Sequence, residues 1–275
     1  MRNDLERTNE HGLTNLNILV AEDDELNQRM MHVLLSRGGH RVEVVPNGLE
    51  ALEAVKTGKF DLVFMDLHMP IMDGFEACRR IRAWENGASH IPVVALTASY
   101  VMGNERDILD AGMDDYILKP FELRNIERVL KSCMDGVYQP PNARKEKEIP
   151  MDAGQPNQLL DYDGMISRFG KDADLYKELL GDFVQGLPHR VENLERYFET
   201  VDWQSLSREA HNLKGIAAGL GAMQLSELAR QLEDLSSYNN RAEARNTLDQ
   251  LKNNVIALST DARVSYSGQK TWIDL

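Results

Sequence analysis

The stretch LVFMDLHMPIMDG, residues 62–74, is a short apolar run that ends on Asp66 and breaks at Met69-Pro70. An apolar run of this length bounded by turn residues reads as a buried strand, here with a carboxylate at its end. Two other runs behave alike. NILVAED, residues 17–23, ends on Glu22 and Asp23, and DYILKP, residues 115–120, ends on Lys119 before a proline. Parallel strands in one sheet would bring these three carboxylates and one ammonium to the same edge. Such a set suits a hard cation and a phosphoryl acceptor. The chemistry needs a carboxylate nucleophile, oxygen ligands for the cation, and a fixed positive charge for the developing anion.

Outward from that stretch, residues 15–134 alternate between two textures. Strand-like runs fall at Ile18–Ala21, Val42–Val45, Leu62–Met65, Ile91–Leu96 and Tyr116–Leu118. Helical periodicity fits Asn27–Ser36, Leu49–Val55, Phe75–Trp84, Glu105–Ala111 and Leu123–Leu130. Five strand–helix repeats with continuous apolar strands predict an α/β unit, a doubly wound parallel sheet covered on both faces. Ligands of such sheets bind beyond the carboxyl ends of the strands, where Asp23, Asp66, Thr97 and Lys119 fall.

The texture changes near Gly136. VYQPPNARKEKEIPMDAGQPNQ mixes prolines, charges and amides without an apolar face, and reads as a linker. From Asp161 on the pattern is helical. Apolar residues recur at a spacing of three to four from Leu179 to Val201, with Pro188 inside the run expected to bend or interrupt it. Asp202 is placed to cap a helix over Trp203–Ala218, and further helices fit Ala222–Leu235 and Arg241–Leu258. The predicted organisation is an extension (1–14), an α/β domain (15–135), a linker (136–159), an all-α antiparallel four-helix bundle (160–260) and a tail (261–275).

The chain has 275 residues, 42% of them hydrophobic, and a formal net charge of −13 shared between both halves. That charge argues against general nucleic-acid binding. Two cysteines, Cys78 and Cys133, form neither a disulfide framework nor a CxxC site, which points to a reducing compartment. The charged start of the chain and the lack of any apolar run near ~18 residues predict a cytoplasmic protein without membrane insertion.

LVAEDDELNQ, NGLEAL, LVFMDLHMPIMDG, VVALTA and GMDDYILKPF together resemble the receiver domain of two-component response regulators, in detail those attached to hybrid histidine kinases. The resemblance implies a flavodoxin-like fold with Asp66 as phosphoacceptor. It also implies Mg2+ held by Asp23, Asp66 and the backbone carbonyl of His68, with Glu22 acting through water. Lys119 would contact the phosphoryl group, Thr97 and Tyr116 would form the switch pair, and Ala98 would leave room for the phosphoryl group. Asp24 departs from the pattern, since hybrid receivers usually carry Asn there; an added carboxylate is expected to alter cation affinity or acyl-phosphate lifetime. A dehalogenase-type phosphatase also uses a strand-end Asp, but wants a second Asp where this chain has His68.

AHNLKG, residues 210–215, places His211 on the second helical half. If Leu206, Ala210, Leu213 and Ala217 form the buried stripe, rotation of ~100° per residue turns the His211 ring about 120° from its middle, toward solvent. Lys214 lies one turn on, and Gly215 removes a side chain beside the ring at a helical cost of about 1 kcal/mol. AHNLKGIAAGLGAMQLSELARQLE resembles the histidine phosphotransfer domain. That likeness implies phosphorylation of His211, support of the phosphate by Lys214, and clearance at Gly215 for a docking receiver. No GxGxxG or GxxxxGK[ST] stretch occurs, so an ATP-binding kinase domain is not expected.

Together these readings predict a phosphorelay intermediate. A sensor or hybrid histidine kinase would supply Asp66, and His211 would exchange with Asp66 or with the receiver of a downstream regulator. The rival reading is a non-catalytic regulatory module, in which phosphorylation of Asp66 only changes docking.

Overall fold

The computed structural model describes residues 15–97, 104–119, 121, 123–134, 159–161, 173–238 and 240–266. Ala98, the N-terminal extension, nearly all of the linker and the end of the tail lie outside them. The chain divides into two compact units, Met1–Glu146 and Lys147–Leu275.

The first unit is a five-stranded, all-parallel sheet with helices between its strands. Its strands are β1 (Asn17–Ala21), β2 (Arg41–Val45), β3 (Leu62–Asp66), β4 (Val93–Thr97) and β5 (Asp115–Leu118). The helices are α1 (Glu25–Arg37), α2 (Gly48–Val55), α3 (Gly74–Glu85), α4 (Asn104–Asp110) and α5 (Leu123–Met134). Spatial order is β2-β1-β3-β4-β5, so the winding reverses direction at β1, and the crevice for a ligand opens between β1 and β3. β3 and β4 are buried along their whole length and β1 nearly so, whereas β2 exposes alternate residues. This matches the sequence pattern: strands covered on both faces stay apolar throughout, and an edge strand alternates.

One boundary differs from expectation. β4 opens at Val93 rather than Ile91, because Pro92 has no N–H for the ladder. The backbone of Ile91 is taken by α3 instead: its N–H donates to Glu85 Oε1, and its carbonyl accepts from Arg82 Nη1. Arg82 also bonds Gly112 O and Asp114 Oδ2, clamping the amino ends of β4 and β5.

Among its described residues the second unit has four long helices, α6 (Ala173–Glu199), α7 (Trp203–Gly219), α8 (Met223–Ser237) and α9 (Arg241–Tyr266). α6 packs on α7, α7 on α8, α8 on α9, and α9 back on α6. Joints of only a few residues reverse the direction each time, so the four close into an antiparallel bundle. Asp202 caps α7 as expected, accepting from Ser205 N–H at 3.1 Å.

Pro188 does not interrupt α6, which is one unbroken helix. An interior proline costs about 3 kcal/mol. Phe183 and Leu187 before it, and Leu194 and Phe198 after it, are all buried in the bundle. At ~1.5–3 kcal/mol for each buried side chain, they outweigh that cost and keep the helix continuous through the proline. The last helix also runs to Tyr266, beyond the expected end at Leu258.

Candidate functional site

β1 and β3 are neighbours with Ala21 opposite Met65, which sets Glu22 beside Asp66. Glu22, Asp23 and Asp66 each offer a carboxylate oxygen within 4.8 Å of the others. Lys119, one residue past β5, donates from Nζ to Glu22 Oε2 at 2.7 Å and to Asp66 Oδ2 at 2.6 Å. Asp66 Oδ1 accepts the backbone N–H of His68 at 3.1 Å. Glu22, Asp66 and Lys119 are nearly inaccessible to solvent, Asp23 is half-buried, and the His68 side chain is exposed.

Burial, reinforced by the charge of Asp66, raises the Glu22 carboxyl well above the usual range despite its bond to Lys119. Burial opposes the charge on Lys119, yet the two carboxylates overcome it and hold the ammonium protonated. An all-oxygen cluster of this kind fits a hard divalent cation.

The loop after β3 is shaped by groups the motif reading passed over. A Cβ on Gly74 would lie 2.2 Å from the carbonyl oxygen of Asp66, so only glycine lets α3 start this close to the end of β3. Gly48, at the start of α2, donates to Met72 O at 3.0 Å and ties this loop to the neighbouring one. Ile71 adopts φ +68° while 80% exposed. The Met72 N–H closes a tight turn on Pro70 O at 2.7 Å around it.

Asp24 is the N-cap of α1: its Oδ1 accepts from Leu26 and Asn27 N–H at 3.0 and 3.1 Å. It lies outside the three-carboxylate cluster. Asn27 joins the pocket in a way the sequence did not signal, donating from Nδ2 to Glu22 Oε1 at 3.0 Å. Thr97 ends β4 and is buried, and Tyr116 on β5 is half-buried against the same core layer as Ala95, its register partner.

In the bundle, His211 Nδ1 lies 2.7 Å from Glu233 Oε1 on α8, and Lys214 Nζ donates to Glu233 Oε2 at 2.6 Å. One carboxylate bridges the imidazole and the ammonium. Burial alone would raise its pKa, but the bond and charge of His211, and then Lys214, bring it down to about 2.

The ring does not look out to solvent as expected. The His211 side chain is 9% exposed. The bond to Glu233 holds it along α8, and the buried face of α7 takes in His211, Asn212 and Gly215 as well as the expected stripe. Glu233 itself was missed; its signal is the position four residues after buried Ala229, on the flank facing α7.

Residues 18–131 match the model of the response regulator receiver domain, and residues 178–261 match that of the Hpt domain. The chain joins a response regulator receiver domain to an Hpt domain. Sensor histidine kinase GacS of Pseudomonas protegens is 31% identical over 250 residues, which are 90% of this chain and 27% of that protein. Aerobic respiration control sensor protein ArcB of Escherichia coli is 29% identical over 220 residues, 79% of this chain and 28% of ArcB. The chain therefore spans little more than a quarter of the length of these relatives. Among solved structures, the receiver domain of a sensor histidine kinase from Pseudomonas aeruginosa holds a magnesium ion coordinated in its active site cleft. It is 36% identical, covers 44% of this chain and 99% of its own, and superposes with a TM-score of 0.41. A chain of the co-crystal structure of the Saccharomyces cerevisiae histidine phosphotransfer protein Ypd1 and the receiver domain of Ssk1 matches at 30% identity, covering 45% of this chain and 92% of its own, with a TM-score of 0.41. Among the described residues no helix of the receiver or the Hpt domain is long and apolar enough to cross a membrane.

Proposed function

We propose that this chain is a phosphorelay intermediate of two-component signalling, working in the cytoplasm, in which Asp66 and His211 carry the phosphoryl group. The observation that carries this reading is the Glu22–Asp23–Asp66 cluster with Lys119 bonded across two of its members. Asp23, Asp66 and the His68 carbonyl would hold Mg2+, with Glu22 acting through water. The bound ion would supply neutralisation of phosphate charge. An Asp66 oxygen attacks the phosphorus of a kinase phosphohistidine, the P–N bond breaks, and its electron pair stays on the departing imidazole. Lys119 stands by that carboxylate to meet the charge of the phosphoryl oxygens. Thr97 and Tyr116 would report the new state to a partner, the hydroxyl moving toward the phosphoryl group and the ring following.

At the second site Nδ1 keeps its proton toward Glu233, which leaves the Nε2 lone pair as the nucleophile. Nε2 attacks an aspartyl phosphate, the P–O bond breaks, and the carboxylate departs as the anion. The ring becomes positively charged, and Glu233, anionic at neutral pH, offsets that charge. Lys214 would support the phosphoryl oxygens, and Gly215 would spare a docking receiver a side chain. Partners on this reading are a sensor or hybrid histidine kinase and the receiver of a downstream regulator.

Because His211 is covered, Nε2 must become accessible before transfer. The same cover favours a second reading, a regulatory module in which Asp66 phosphorylation alters docking and His211 stays idle. Purified protein incubated with an acyl phosphate and Mg2+ separates the two. The relay predicts an acid-stable, base-labile label on Asp66 together with an acid-labile, base-stable label on His211. The latter disappears in Asp66→Asn if transfer is internal, and arises only from another phosphorylated receiver if it is not. Persistent absence of the His211 label with both donors would leave the regulatory reading.

A further inference from the structure

Asn27 takes no part in the chemistry above, yet it is 1% exposed and its amide reaches the acidic pocket. Its Nδ2 donates to Glu22 Oε1 at 3.0 Å while Lys119 Nζ donates to Glu22 Oε2 at 2.7 Å. Both oxygens of that carboxylate are therefore held, each by a different segment of the chain. Glu22 is anchored on its backbone too, its carbonyl accepting from Gln28 Nε2 at 2.7 Å. Asn27 is a firm support, since its own N–H is tied to the Asp24 cap in the first turn of α1.

The amide orientation follows from its partner. The NH2 group must face the carboxylate, because the reverse would set oxygen against oxygen. That leaves Asn27 Oδ1 buried and without a hydrogen-bond donor among the described residues. An unsatisfied buried acceptor costs about 1–3 kcal/mol. The bond to Glu22 accounts for the NH2 half of the amide, and nothing among the described residues accounts for the oxygen half. A hard divalent cation bound through few carboxylates keeps several waters, and each of them is a donor.

We propose that Asn27 is a positioning residue of the cation site: its amide NH2 aims the Glu22 carboxylate, and its amide oxygen accepts a hydrogen from a water of the cation's shell. The proposal rests on the reading that Glu22, Asp23 and Asp66 hold the cation. Asn27 touches neither the ion nor the phosphoryl group, so its removal acts through Glu22 and the water. Outer contacts of this kind are worth ten- to a hundredfold in metal affinity.

The test is calorimetric titration of the full chain with Mg2+ alone, with no phosphodonor present, for the wild type, Asn27→Leu and Asn27→Ala. Circular dichroism and thermal unfolding of each variant show whether it is folded. The expected result is a Mg2+ affinity at least tenfold lower in the folded variants. If Asn27→Leu fails to fold, Asn27→Ala, which leaves space for solvent beside Glu22, supplies the measurement. A folded variant that binds Mg2+ within threefold of the wild type overturns the role of Asn27 and leaves the cation site standing. A wild-type chain that takes up no Mg2+ overturns the cation site itself, and this inference with it.

Discussion

The two sites are electrostatic opposites. In the receiver an ammonium, Lys119, lies between the carboxylates of Glu22 and Asp66. In the Hpt domain a carboxylate, Glu233, lies between the imidazole of His211 and the ammonium of Lys214. They also differ in how far the chain must travel. Lys119 meets partners 97 and 53 residues away, whereas Glu233 meets partners 22 and 19 residues away. The receiver pocket needs three strands in register, whereas the Hpt site needs one pair of neighbouring helices. Perturbation should therefore be felt more sharply in the receiver.

The lysines give the widest contrast. Lys119→Met strands two buried carboxylates and should cost about 3–5 kcal/mol. Lys214→Met, at a partly exposed pair, should cost only about 1 kcal/mol. Urea unfolding in a chelating buffer measures both, and equal losses would erase the contrast. Next comes Gly74→Ala, where the clash with the Asp66 carbonyl involves backbone on both sides and should cost about 3 kcal/mol. Hydrogen exchange should show the loss in receiver amides; unchanged protection around β3 would mean that the loop yields easily.

Acid should weaken the two units over different ranges. His40 is buried with Nδ1 accepting from Leu16 N–H, and burial lowers its pKa. The unfolded chain takes up a proton that the folded receiver resists, so this contribution is present above pH ~6.5 and declines as pH falls below it. Glu22, raised by burial, acts in the opposite sense, so the His40 effect is read as the difference between wild type and His40→Gln at pH 7 and 5.5. The wild type should lose more on acidification, and parallel losses would remove His40 as the cause. Glu233 has its pKa lowered to about 2, so its contribution to the bundle persists down to pH ~4.5 and is lost toward pH 2. The smallest effect is a gain. Gly186 sits inside α6, and a Cβ added there would meet nothing within 4 Å. Gly186→Ala should therefore stabilise the bundle by about 0.5–1 kcal/mol, seen as a raised Tm.

Strand ends were the legible part of the molecule. Asp66 and Lys119 close continuous apolar runs, and a run with no polar alternation admits few placements other than a covered parallel strand. His211 was legible as a residue but not as an environment. A helical wheel places a side chain relative to its own helix, and it knows nothing of Glu233 on the helix beside it. Pro188 failed as a breaker for a related reason, since local cost was weighed without the buried residues on both sides. Asn27 sat near the end of a quoted motif, yet nothing in its spacing marked the amide as the partner of Glu22.

Apolar periodicity, breakers and caps thus determined by themselves the α/β unit and the helical unit, because these depend on contacts within one element or on the face it must bury. Only the tertiary structure decided which carboxylate shares Lys119, which glycine lets α3 begin against Asp66, and how deeply His211 lies. Those are distances between segments far apart along the chain, fixed by packing and strand register, and no local pattern encodes them.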